Sequence, residues 1–352
     1  MIHVLIVDDS PVAREHLEDI LGQDPEITVI GTAENGREAI QAVRDLKPDV
    51  VIMDSTMPVM NGIEATRFIM KAIPVPIIIV TGSENVNEVV TSFAAMEAGA
   101  VSLVARPPGI QNPEYESSVN MLRNEVKNYV DLNFVKGYQR IWDSSTTQTY
   151  LEKELKLNIQ VDQIKIVAIG ASTGGPIVLQ TLLSGFHDRF PLPIVIVQHI
   201  AKGFTSGLSE WLWQTTGFPT HIATHGSIPL PGHAYICPDG FQMGFTHENK
   251  ISLTPPLQEK ELCPSVNFLF NAVKEEYGSG VIAILLTGMG CDGAYELKNL
   301  KDNGAVTIVQ DKESSIIFGM PGEAIRLGGA SYVLSPEKIV DVVNTIVTYR
   351  RA

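Results

Sequence analysis

Short runs of aliphatic and β-branched residues punctuate the first third of the chain: Ile2 to Val7, Thr28 to Gly31, Val50 to Met53, Ile77 to Val80 and Val101 to Val104. Helical patterns separate them, and five strands alternating with helices predict a parallel, doubly wound sheet. Apolar positions at Val119, Leu122, Val126, Tyr129 and Val130 predict a helix within Pro113 to Leu132 that closes this unit. From about Asp131 to Asp162 the pattern lapses, with a polar cluster from Ser144 to Thr149 and no strand signal, which reads as a linker. A second α/β pattern follows in Ile164 to Ile169, Pro193 to Val197, Val281 to Leu286 and Ala305 to Val309. Within it, Ala234 to Cys237, Phe241 to Thr246 and Ile251 to Thr254 are separated by Pro238-Asp239-Gly240 and Glu248-Asn249-Lys250. Those turn residues predict an antiparallel meander attached to the parallel sheet. The expected division is a first domain over residues 1–130, a linker over 131–161 and a second domain over 162–352.

A length of 352 residues supports this division, since single cores stop growing at roughly 250 to 300 residues. The longest apolar runs, such as Val281 to Leu286, fall far short of the roughly 20 residues that span a bilayer, so no membrane insertion is expected. The amino terminus lacks the basic start and long apolar stretch of a secretory signal, which places the expected location in the cytoplasm. A net charge of −14 argues against nucleic acid as a partner, because such binding neutralises phosphates with clustered Lys and Arg. Cys237, Cys263 and Cys291 are odd in number and lack metal-ligand spacing, so reduced, unremarkable thiols are expected.

Asp8 and Asp9 follow the first predicted strand directly and Asp54 follows the third, so their carboxylates emerge at one carboxyl edge, where open α/β sheets bind ligands. Three carboxylates gathered there repel one another unless a hard divalent cation neutralises them, and Mg2+ suits oxygen ligands while leaving room for water and phosphate. Thr81 and Arg106, ending the fourth strand and following the fifth, complete the pocket with a hydroxyl and a cation, each placed for the oxygens of an acyl-phosphate on Asp54. A single aspartate after a strand is more often a turn or a cap; five such positions on one edge are another matter.

Through Val7-Asp8-Asp9-Ser10, Asp49 to Asp54 with Met57-Pro58, Thr81-Gly82 and Arg106-Pro107, this half resembles the response-regulator receiver family over essentially its full length. The resemblance implies a flavodoxin-like fold, phosphorylation of Asp54 by a histidine kinase, and Mg2+ held by Asp8, Asp9, Asp54 and the carbonyl of Thr56. Two positions depart from the family: Arg106 stands where lysine is usual, and Leu103 where an aromatic switch residue is usual. A planar guanidinium fork does not replace a point-like ammonium conservatively, which bears on how phosphorylation is transmitted.

In the second half, the strand Ile164 to Ile169 runs into Gly170-Ala171-Ser172-Thr173-Gly174-Gly175-Pro176 and then a helical pattern from Ile177 to Leu183. The glycines at 170 and 174 have the G-x-S-x-G spacing that exposes a serine on a sharp turn. On that segment alone, a turn holding a nucleotide phosphate at the helix amino terminus is an equal reading. A nucleophilic serine also needs a base, and the base needs an orienting acid. Among His187, His199, His221, His225, His233 and His247, His199 alone directly ends a strongly apolar strand. For the acid, Asp292 lies in the glycine-rich loop from Thr287 to Gly293, and Asp311, at the end of another strand, is its rival. Glycines that permit unusual dihedrals favour Asp292.

The order Ser, His, Asp differs from that of α/β-hydrolases and implies another fold. From about Ile164 onward the chain resembles the chemotaxis protein-glutamate methylesterase family. The resemblance is carried by Gly170 to Gly175, Gln198-His199-Ile200, Gly203-Phe204-Thr205, Cys263 to Val266, Thr287 to Gly293, Gln310-Asp311, Ser314-Ser315 and Phe318 to Pro321. A doubly wound hydrolase domain behind a receiver is that family's architecture. It implies that Ser172 attacks glutamyl methyl esters of methyl-accepting chemotaxis receptors and releases methanol, with His199 as base and then acid. Deamidation of receptor glutamines is implied as well. A backbone amide at Met289 or at Thr173 in the serine turn is implied to hold the oxyanion, and no cofactor is expected for hydrolysis. A chemotaxis histidine kinase is the implied phosphodonor, and domain order implies steric control by the receiver. Asn267 replaces a family aspartate, and Ala201-Lys202 a proline-containing pair, which bears on receptor fit. The alternative is a non-enzymatic adaptor, a receiver joined to a phosphate- or partner-binding α/β module.

Overall fold

The computed structural model describes residues 1–82, 86–129, 163–187, 189–258 and 261–349. The chain divides into two compact units, Met1–Lys136 and Gly137–Ala352. The proposed linker and its Ser144 to Thr149 cluster lie outside the described residues, as do the last residues of the closing helix pattern.

The first unit alternates β1 (Ile2–Val7), α1 (Pro11–Gly22), β2 (Ile27–Ala33), α2 (Gly36–Leu46), β3 (Val50–Met53), α3 (Gly62–Ala72), β4 (Ile77–Thr81), α4 (Val86–Glu97), β5 (Ser102–Ala105) and α5 (Tyr115–Asn128). Its strands form one parallel sheet in the order β2-β1-β3-β4-β5. The central strands read as nearly unbroken apolar runs because helices cover both faces; all of β3 and β4 is buried. Local chemistry sets the helix starts: Ser10 Oγ accepts from Ala13 N ahead of Pro11, and Asn35 and Asn61 side chains cap α2 and α3. Val119, Leu122, Val126 and Tyr129 are buried as the helical spacing of α5 requires. In register, Val7 pairs with Met53 and Thr81 with Ala105, so Asp8, Asp54 and Arg106 leave the sheet at the same edge.

The second unit carries a seven-stranded sheet in the order β14-β13-β12-β6-β7-β9-β8, parallel throughout. Its strands are β6 (Ile166–Ala171), β7 (Ile194–Gln198), β8 (Thr220–Ile222), β9 (Ala234–Ile236), β12 (Val281–Leu285), β13 (Val306–Gln310) and β14 (Tyr332–Leu334). The helices are α6 (Gly175–Gly185), α7 (Thr205–Thr216), α8 (Val266–Tyr277), α9 (Ala294–Asp302), α10 (Met320–Arg326) and α11 (Pro336–Tyr349). From β6 the chain builds outward through β7 to one side and later returns through β12 on the other. That reversal of strand order makes the crevice above β6 and β12 the natural ligand site.

The antiparallel element is a separate hairpin of β10 (Gln242–Phe245) and β11 (Ile251–Thr254). Ala234 to Cys237, expected as its first strand, instead supplies β9 of the parallel sheet, with Ala234 opposite both Ile194 and Thr220. All three residues of β9 are buried, which suits an interior parallel strand, and Pro238-Asp239-Gly240 releases the chain from the large sheet instead of folding it back. β8 and β14 add two strands that the pattern did not announce, each three residues long and too brief to show a period. Among the described residues, no helix is long and apolar enough to cross a membrane.

Candidate functional site

At the edge of the first sheet, Asp8, Asp9 and Asp54 each offer an oxygen within 4.8 Å of the others. Arg106 donates from Nη2 to Asp8 Oδ2, and the same nitrogen lies 3.7 Å from Asp54 Oδ1. Its backbone is tied to the neighbouring strand end, Arg106 N donating to Thr81 O at 2.8 Å. Thr81 is buried, Asp9 and Thr56 are exposed, and Leu103 is buried in β5. Burial, and then the nearby Asp8 carboxylate, push the Asp54 carboxyl up to about 6 despite the opposing Arg106 charge. Burial raises the Asp8 carboxyl as well, against the Ser10 amide and Arg106. A pocket so loaded with negative charge gains from a hard cation, and three carboxylates at this spacing suit Mg2+. Arg14 was not anticipated by the sequence reading: it donates to Asp8 O at 2.7 Å and bridges to Glu34, bracing the loop from behind.

Ser172 directly follows β6, and Gly174, at φ 79°, opens α6 after a turn closed by Gly175 N donating to Ser172 O at 2.8 Å. Left-handed backbone at 174 is the reason for glycine there. Ser172 is 9% exposed. On the adjacent strand Ala171 pairs with Gln198, and His199 N donates to Ala171 O at 2.9 Å, which sets His199 beside the serine turn. On the other side Ser172 N donates to Thr287 O at 3.0 Å. Among the described residues Ser172 Oγ makes no hydrogen bond, so its link to His199 is not closed in this state.

The candidate base and acid are joined. His199 Nε2 lies 3.0 Å from Asp292 Oδ2. The same carboxylate accepts from Ser265 Oγ at 2.9 Å, Val266 N at 2.6 Å and Asn267 N at 3.0 Å. It therefore occupies the amino terminus of α8, where unpaired amides and the helix dipole favour an anion. Burial alone would raise the Asp292 carboxyl; the hydrogen bond from His199 and the Asn267 and Val266 amides outweigh it and hold it below the ordinary range. An ionised carboxylate only accepts, so Nε2 carries the imidazole proton and Nδ1 is left as the basic nitrogen.

Asp311 is occupied elsewhere, accepting from Ser314 N at 2.9 Å and Ser314 Oγ at 2.6 Å within its own loop. Three of the other histidines have separate surroundings: His221 meets His233 at 2.8 Å, and His225 accepts from Leu253 N. The peptide N–H groups of Thr173 and Met289 donate to no group among the described residues, and Met289 is exposed. Two glutamines stand in the sequence only as parts of motifs, with no role assigned to them. Gln198 Nε2 reaches Ser172 O and His199 O, and Gln310 Oε1 accepts from Thr287 N at 2.8 Å. A polar residue closing an otherwise apolar strand was the available signal. The three cysteines are free thiols, and burial pushes Cys237 above its ordinary value.

A family model described as CheB methylesterase matches residues 167–343, and one described as response regulator receiver domain matches residues 4–112. A protein-glutamate methylesterase/protein-glutamine glutaminase of Nitrosospira multiformis is 47% identical over 350 residues, covering 99% of this chain and 98% of that protein. One from Methanospirillum hungatei is 42% identical, covering 98% of both. Among solved structures, the Thermotoga maritima CheB methylesterase catalytic domain matches with a TM-score of 0.50 and 37% identity, covering 52% of this chain and 99% of that one.

Proposed function

This chain belongs to the CheB methylesterase family, and from that premise we propose that Ser172, His199 and Asp292 hydrolyse glutamate methyl esters of chemotaxis receptors under control of phosphorylation at Asp54. The enzyme is a protein-glutamate methylesterase with protein-glutamine glutaminase activity. Its receiver occupies residues 1–130 and its catalytic domain residues 162–352, joined through 131–161.

His199 Nδ1 takes the proton of Ser172 Oγ as that oxygen attacks the glutamyl carbonyl carbon. The positive imidazole is stabilised through Nε2 by Asp292, which four donors keep ionised. The tetrahedral oxyanion is held by the N–H groups of Thr173 and Met289, which have no other acceptor among the described residues. His199 then passes its proton to the departing methoxy oxygen, or to the departing amine when the substrate is a glutamine. Water, deprotonated by the same nitrogen, cleaves the acyl-enzyme to a glutamate carboxylate and regenerates Ser172.

In the receiver, Asp8, Asp9, Asp54 and the Thr56 carbonyl would hold Mg2+, which would supply positive charge to offset that of the phosphoryl group. Asp54 accepts that group from a chemotaxis histidine kinase, and Thr81 and Arg106 bind its oxygens. The observation that carries the reading is the Asp292 carboxylate, bound at once to His199 and to the first amides of α8. Methanol release from methylated receptor membranes tests it. Acetyl phosphate should raise the rate for the wild type and leave Asp54→Ala unchanged, and Ser172→Ala should release none; release by Ser172→Ala would remove the assignment.

A further inference from the structure

The structure assigns a positioning role to Gln198, an inference that rests on the hydrolase reading above. Gln198 closes β7 and is 3% exposed. Its Nε2 donates to two backbone carbonyls, Ser172 O at 2.7 Å and His199 O at 2.8 Å. One amide group thus spends both hydrogens tying the backbone of the nucleophile to that of the base. The opposite orientation would set three carbonyl-type oxygens against one another, so chemistry fixes which end of the amide faces them. Gln198 Oε1, buried without a hydrogen-bond partner, lies against Gly175, where a Cβ would come within 2.1 Å of it. That places it at the positive, amino-terminal end of α6.

The regular β6–β7 ladder ends with His199 N donating to Ala171 O. Beyond that rung the chains part, Ser172 into α6 and His199 into the loop before α7. Gln198 supplies the next rung across the gap. A peptide group is planar and trans, so the unit that carries Ser172 C=O also carries Thr173 N–H, pointing the opposite way. Holding Ser172 O from Gln198 Nε2 and Gly175 N therefore fixes the direction of the Thr173 N–H, which donates to no group among the described residues. The hydrogen bonds of Gln198 Nε2 go to backbone carbonyls alone; it acts by aiming a proposed oxyanion donor and by fixing the peptide that follows the base.

The test uses the full chain on methylated receptor membranes. Gln198→Met keeps the volume and removes the donor. Since losing one oxyanion donor outright costs on the order of 100- to 1000-fold, misdirecting one should lower kcat by roughly 10- to 100-fold. KM should stay within about twofold, because the loss falls on the transition state. The acid limb of the kcat/KM profile should keep its position while the plateau falls, because Asp292 and not Gln198 contacts the imidazole. A wild-type kcat, a loss confined to KM, or a shifted acid limb overturns the proposal. Should Gln198→Met not fold, Gln198→Glu decides: it keeps the shape and presents an oxygen to both carbonyls, and an undiminished kcat overturns the role. Ser172→Ala runs alongside; activity there removes the hydrolase reading itself, whereas an inactive Ser172→Ala with an unimpaired Gln198→Met removes only the role of Gln198.

Discussion

Asp292 Oδ2 accepts from His199 Nε2 at 3.0 Å and from Val266 N at 2.6 Å, so one oxygen serves both the proposed base and the first turn of α8. Asp292→Asn breaks this arrangement without changing its size. An amide must turn its NH2 either on Ser265 Oγ and Asn267 N or on His199 and Val266 N, and in the second case it reverses the imidazole tautomer. Methanol release should fall by on the order of 10,000-fold, as expected when an orienting carboxylate becomes an amide. Acetyl phosphate labelling at Asp54, in the other compact unit, should persist. Labelling lost together with hydrolysis would point to general misfolding instead.

Ser265 separates the structural and catalytic parts of that arrangement. Its hydroxyl donates to Asp292 Oδ1 at 2.9 Å and accepts from Phe268 N as the cap of α8. Ser265→Ala should cost about 1 kcal/mol of stability, the usual effect of losing such a cap. The carboxylate keeps His199 and two amides, so kcat should drop by roughly tenfold, the low end of what one hydrogen bond to a charged group is worth. Melting and methanol release together check this, and a collapse comparable to Asp292→Asn would make Ser265 an essential orienting group.

The parallel architecture was legible because buried strands such as Ile77–Thr81 and Val281–Leu285 announce themselves as apolar runs, and residues that follow them must gather at one edge. Edge logic alone brought Asp8, Asp54 and Arg106 together and placed His199 beside the serine turn. It could not choose between Asp292 and Asp311. The glycine-rich loop favours Asp292, whereas the approach of that loop to the amino terminus of α8 is a long-range relationship, seen in the Val266 and Asn267 amides, that no sequence pattern carries. Ala234 to Ile236 was misplaced because turn residues flank it as they would a hairpin strand, and its partners Ile194 and Thr220 are set by packing. Gln198 stands in the sequence as part of a motif, yet it acts through backbone carbonyls, which no residue pattern reveals.

Gly288 tests how closely the serine turn is packed. A Cβ there would stand 2.4 Å from Met320 Sδ and 2.6 Å from Ser172 Cβ. Methionine can yield, but the serine sits on backbone pinned by Thr287 O and Gln198 Nε2. Gly288→Ala should therefore displace Ser172 and slow methanol release by about 100-fold, the scale on which misplaced reacting groups act. Melting should fall only modestly, and Asp54 labelling should be unaffected. Wild-type labelling by a fluorophosphonate probe would show that the turn absorbs the methyl group.

Asp54 sets a pH dependence of known sign. Its carboxyl is raised from 3.8 to about 6 by burial and by Asp8, with Arg106 opposing. The folded receiver therefore holds this proton more tightly than the unfolded chain. Below 3.8 both states are protonated and no penalty exists; it grows as pH rises from there and is complete above about 6. Without Mg2+, Asp54→Asn should raise the receiver's melting transition at about pH 7, and that advantage should vanish near pH 4. Mg2+ needs the ionised carboxylate, so its stabilisation of the wild-type receiver should be large at about pH 7 and fade as pH falls through about 6. Calorimetric melting of the full chain across this range, with and without Mg2+, provides the check. A lower-melting Asp54→Asn at neutral pH, or a Mg2+ effect undiminished at about pH 5, would place the strained carboxyl elsewhere in the pocket.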